Sequence, residues 1–89
     1  PQSLHSIVSG RVQGVFFRSL TEKQARLLDL NGWVRNKPDG TVEVLAQGDE
    51  NALEQLEMKI QEGPAAARVD NVKSEYKVLD EKLPGFHVR

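Results

Sequence analysis

Cysteine is absent from the 89 residues. That excludes disulfides, thiolate nucleophiles and cysteine-bound zinc. Histidine is scarce: His5 and His87 stand far apart and supply no metal-ligand spacing. No metal and no other cofactor is expected. Neither sign of charge prevails, since 12 Lys and Arg face 13 Asp and Glu for a formal net charge of −1. Nucleic acids and anionic membranes are held by a clear basic excess, so neither is an expected partner. No apolar run approaches the roughly 18–20 residues of a membrane span. Residues 1–10 lack the apolar stretch of a signal peptide, and a soluble cytoplasmic protein is expected.

What is present reads as one small domain over residues 1–89. Leu4 to Val12 reads as a strand. A turn-like loop around Gly14 follows. The segment Ser19–Leu30 is rich in helix formers, and Phe17, Leu20, Gln24, Leu27 and Leu28 fall near helical spacing. Asn31-Gly32 is expected to end this helix as a left-handed cap. Trp33 to Asn36 reads as a second strand, and Lys37-Pro38-Asp39-Gly40 as a turn. Thr41–Gln47 is the clearest strand, with Val42, Val44 and Ala46 on one face. Asp49 suits a helix N-cap. Leu53, Leu56 and Ile60 then mark an amphipathic helix from about Glu50 to Glu62, stopped by Gly63-Pro64. Val69, Val72, Tyr76 and Val78 lie in a β-prone stretch, and Gly85 to Val88 can add a short fifth strand. The order β-α-β-β-α-β predicts an α+β, ferredoxin-like sandwich, with two helices on one face of a mostly antiparallel sheet. The expected core includes Phe17, Leu27, Trp33, Val42, Val44, Leu53, Leu56 and Ile60.

Chemistry concentrates in the loop Arg11–Arg18. A strand-to-helix loop presents unpaired N–H groups, a natural anion site, and Gly14 lets the backbone turn closely around a ligand. Arg18 sits at or before the first helical turn, where a cation is misplaced by roughly 0.3–1 kcal/mol. A bound phosphate would reverse that sign and satisfy both the guanidinium fork and the amides. On position alone, a solvated or carboxylate-paired arginine is the simpler reading. Asn36 precedes a turn, which asparagine favours; its amide can also orient water, because it both donates and accepts. The loop is neither a P-loop nor a dinucleotide fingerprint.

The run Val8-Ser9-Gly10-Arg11-Val12-Gln13-Gly14-Val15-Phe16-Phe17-Arg18 resembles the first signature of acylphosphatases. Gly32-Trp33-Val34-Arg35-Asn36, followed by Gly40-Thr41-Val42-Glu43 and Gly48, resembles the second. Gly63-Pro64 and the closing Gly85 to Arg89 are also similar to that family, so the likeness covers nearly the whole chain. It implies hydrolysis of the carboxyl–phosphate bond of a small acyl phosphate, by a monomeric enzyme needing no metal. It implies that Arg18 and the loop amides of Gln13, Gly14, Val15, Phe16, Phe17 and Arg18 bind the phosphoryl group. It implies that Asn36 orients the attacking water. Phe16 falls at a position the family lets vary.

Two other readings share the fold. RNA-recognition domains have the same element order but need strand aromatics and a basic face, which Thr41–Gln47 lacks. A regulatory domain binding a phosphorylated metabolite would keep Arg18 and the loop without needing Asn36.

Overall fold

Strand β1 (Gln2–Arg11) alternates strictly in its middle: Leu4, Ser6 and Val8 are buried, while His5, Ile7 and Ser9 are half-buried on the other face. The computed structural model describes residues 1–89. After β1 come α1 (Phe17–Leu27), β2 (Asn31–Asn36), β3 (Val42–Gln47), α2 (Glu50–Glu62), β4 (Arg68–Val78) and β5 (Phe86–Val88). The sheet order is β4-β1-β3-β2-β5. Only the β2–β5 pair is parallel. The ferredoxin-like order is therefore as expected, and Phe86–Val88 supplies the fifth strand. The outer strands are β5 and the 11-residue β4, whose far edge pairs with nothing.

The core lies between the sheet and the two helices. Leu4, Val8, Val34, Val42, Val44 and Ala46 meet Phe17 and Ala25 of α1 and Leu53, Leu56 and Ile60 of α2. Asp49 caps α2 as its sequence predicts, accepting from the N–H groups of Asn51 and Ala52. Gly63, at φ 70°, closes it.

Helix α1 departs from expectation. It runs Phe17–Leu27 rather than Ser19–Leu30. Asp29, at φ 57°, takes the left-handed position, and Asn31-Gly32 already belongs to β2. Gly32 has a different task there: a Cβ on it would lie 1.9 Å from the Leu45 carbonyl oxygen, so only glycine fits between β2 and β3. Leu27 is 69% exposed. It stands about a third of a turn from the buried stripe Phe17–Thr21–Ala25. Beyond Phe17 the helix rests on the sheet through the small Thr21 and Ala25, which apolar spacing alone does not reveal. Trp33 is also outside the core. It lies on the open face of the sheet, with the Arg89 and Arg35 guanidinium carbons 4.7 and 5.8 Å from its ring centre.

Candidate active site

The loop between β1 and α1 is pinned from below. Val12 and Val15 are buried in the core, while Gly14 and Phe16 face outward. Gly14 adopts φ 74°. A Cβ there would meet nothing within 4 Å, so glycine serves the backbone turn and leaves open space above it. Phe16 precedes the helix at φ 67°, ψ 22° and gives α1 no side-chain cap. A bulky residue in that region stores about 1–3 kcal/mol of strain. The first turn of α1 holds no acidic residue. Along this stretch, the N–H groups from Gln13 to Ser19 donate to no backbone or side-chain acceptor. They form a run of free donors at a positive helix end.

Arg18 follows as the second residue of α1. Its Nη1 donates to the Arg89 carbonyl oxygen at 3.2 Å. It pairs with no Asp or Glu side chain, unlike Arg26, Arg35 and Arg68.

Asn36 closes β2 opposite Val42, and its parity with Val34 turns it toward the helices. Its Oδ1 is buried and has no hydrogen-bond partner. A buried acceptor costs about 1–3 kcal/mol unless a donor meets it, and within the protein none does. Arg18 and Asn36 share one cavity of about 230 Å³, lined also by Val12, Gly14, Phe16, Phe17 and Ser19.

Gln13 and Val15 do not line that cavity with side chains. Val15 packs inward, and Gln13 reaches sideways: its Nε2 donates to the carbonyl oxygens of Lys37 and Thr41, at 2.8 and 2.9 Å. That amide ties the β1–α1 loop to the β2–β3 turn, directly beside Asn36. The turn is further shaped by Asp39, whose carboxyl accepts from the Thr41 hydroxyl and N–H. The Thr41 hydroxyl bond, chiefly, holds the Asp39 carboxyl below its ordinary range. Sequence reasoning missed this clamp and also missed Ser19 as a lining residue. Ser19 directly follows Arg18, the one signal that could have brought it in.

The cavity contains no carboxylate and no imidazole. His5 lies on the opposite sheet face, its Nε2 2.7 Å from Glu43, and His87 lies on β5 with its Nε2 2.8 Å from the Pro84 carbonyl oxygen. Nowhere do three or more His, Asp or Glu side chains gather as a ligand set. The arrangement offers a cradle for an anion, one free acceptor for a donor molecule, and no base of its own.

The sequence profile described as acylphosphatase matches residues 4–88. The chain belongs to the acylphosphatase family. An acylphosphatase of Salinibacter ruber is 46% identical over 82 residues, 92% of this chain and 86% of that protein. The crystal structure of an acylphosphatase from Bacillus subtilis superposes with a TM-score of 0.96 at 35% identity, covering 100% of this chain and 99% of the other. An acylphosphatase from Coxiella burnetii gives 0.91 at 44% identity, covering 98% and 90%. The free donors, Arg18 and Asn36 thus occur in an acylphosphatase fold.

Proposed function

We propose that this acylphosphatase hydrolyses acyl phosphates to a carboxylate and inorganic phosphate, with Arg18 and Asn36 as its catalytic residues. The cavity that Asn36 shares with Arg18, together with the buried Asn36 Oδ1 that no protein group satisfies, carries this reading. The phosphoryl oxygens sit on the N–H groups of the Gln13–Arg18 loop and on the guanidinium of Arg18. A water molecule donates one hydrogen to Asn36 Oδ1, which fixes its lone pair toward phosphorus. The water oxygen then bonds to phosphorus as the bond to the acyl oxygen breaks in line. The bonding pair leaves with the carboxylate, and the water proton passes to a phosphoryl oxygen. A carboxylate is a weak base, so no general acid is needed to release it. Transfer of this kind needs positioning and charge stabilisation above all, which preorganised donors and one held water supply.

A regulatory domain that only binds a phosphorylated metabolite has no use for a bare acceptor beside the phosphate cradle. In the reading favoured here, residues 1–89 act as one catalytic domain, a cytoplasmic monomer that binds neither nucleic acid nor membrane. The reaction so written calls on no metal ion. The test is turnover in excess chelator. An aryl acyl phosphate should be hydrolysed at an unchanged rate, and an alkyl phosphate monoester should not. Activity lost in chelator and restored by one metal ion overturns the metal-free reaction; equal turnover of the monoester overturns the substrate class.

A further inference from the structure

Phe16 has no structural use for its ring. It is the most exposed of the large hydrophobic residues, at 78%, whereas its neighbour Phe17 is 2% exposed. It holds a left-handed backbone that disfavours bulky side chains, and it caps no helix donor. Yet it lines the cavity that holds Arg18 and Asn36. The other large apolar linings, Val12 and Phe17, are buried, so Phe16 supplies the apolar surface at the mouth.

The direction of the reaction explains what that surface meets. In-line attack puts the leaving group opposite the water. Asn36 Oδ1 is buried, so the acyl group departs toward the exposed side, where Phe16 stands. Beyond Arg18 the cavity has no charged side chain to hold a polar or anionic acyl group. We propose that Phe16 is a specificity residue that packs its ring against the acyl group, favouring flat aromatic acyl groups over small ones such as acetyl or carbamoyl.

This inference rests on the cavity being the acyl phosphate site, and the experiment separates the two. Benzoyl phosphate and acetyl phosphate are compared as substrates of the unaltered chain, Phe16→Ala, Phe16→Gly and Phe16→Trp. An aromatic contact of this type supports a loss of about three- to tenfold on truncation. Phe16→Ala and Phe16→Gly should both lose that much kcat/KM for benzoyl phosphate, mainly through KM. In both, the benzoyl-to-acetyl ratio of kcat/KM should fall by that factor, whatever the loop change does to acetyl phosphate turnover, and Phe16→Trp should retain the preference. Equal losses on both substrates would show that Phe16 only shapes the loop, and no loss on either would show that the ring is idle; each result overturns the proposal. If Phe16→Gly alone keeps the benzoyl preference, backbone strain and not the ring is at work, and the proposal again fails. Acetyl phosphate turnover by the unaltered chain leaves the site reading standing whatever becomes of Phe16. An unaltered chain inactive on both substrates defeats both.

Discussion

Arg18→Gln takes the one cationic side chain out of the cavity while leaving the loop amides in place. Charge-assisted contacts contribute about 1.5–3 kcal/mol each, so activity should fall below detection and the inhibition constant of inorganic phosphate should rise about tenfold or more. Arg18→Lys should fail as well, because an ammonium cannot reproduce the planar fork. Thermal stability should hold or rise slightly, since a cation leaves a helix N-terminus. Asn36→Ala removes no charge and should behave differently. Its kcat should drop about a hundredfold, the scale of a lost alignment, while phosphate inhibits at nearly the original concentration. Asn36→Asp should do no better, because its charge repels phosphoryl oxygens. Steady-state kinetics with phosphate as inhibitor separates the two roles. A folded Asn36→Ala of normal kcat returns that residue to a part of the turn.

Strand, loop and hairpin meet in the side chain of Gln13. Its two hydrogen bonds to the Lys37 and Thr41 carbonyls are the direct link between the element carrying Arg18 and the one carrying Asn36. Gln13→Leu keeps the bulk and removes both donors. Each carbonyl retains a second donor, from Gly40 and Lys37 respectively, so the stability loss should be about 1–2 kcal/mol in urea unfolding. kcat should fall about tenfold with KM little changed, because Asn36 loosens relative to the loop. A loss of stability with unaltered kcat would confine the clamp to folding. Such long-range ties were not legible in the sequence. Elements with their own local signals were: α2 has a polar cap, an apolar stripe and a closing glycine, and β3 has clean alternation. Helix α1 was misplaced at both ends because Phe16 caps nothing and Asp29 does the turning expected of Gly32. Its Thr21 and Ala25 contacts are too small and too polar to register as a core stripe. In the site, Arg18 and Asn36 were ambiguous by position and became readable through two long motifs at matched separation. The bare Oδ1 and the Gln13 clamp depend on how β2 and β3 pair, which local pattern does not encode.

Across the whole molecule, the face of the sheet remote from the site carries a row of charge. Glu43 of β3 receives Arg35 Nε at 2.6 Å from β2 and contacts His5 Nε2 at 2.7 Å from β1. Burial works against its charge, but the His5 and Arg35 hydrogen bonds outweigh it and hold the carboxyl below its ordinary 4.5. A lowered folded-state value means stability that is fully present above the unfolded value and lost as pH falls through the folded one. Glu43→Gln should therefore cost about 1 kcal/mol at pH 7, and the gap from the unaltered chain should narrow as pH falls below 4.5. Urea unfolding above and below that pH checks this, and a gap that persists in acid would show that the carboxylate contributes nothing. Acyl phosphate turnover at pH 7 should not change, because the row lies on the other side of the sheet. The outer strand β4 has a consequence of another kind. Its free edge is long enough to template a strand from a second molecule. Along it, Lys73, Glu75 and Lys77 alternate in sign on one face. Fibril growth stacks identical strands in parallel and in register, which would set each of these charges directly on its own kind. The charges of this outer strand thus set like against like in any such stack, which disfavours its growth from the sheet edge.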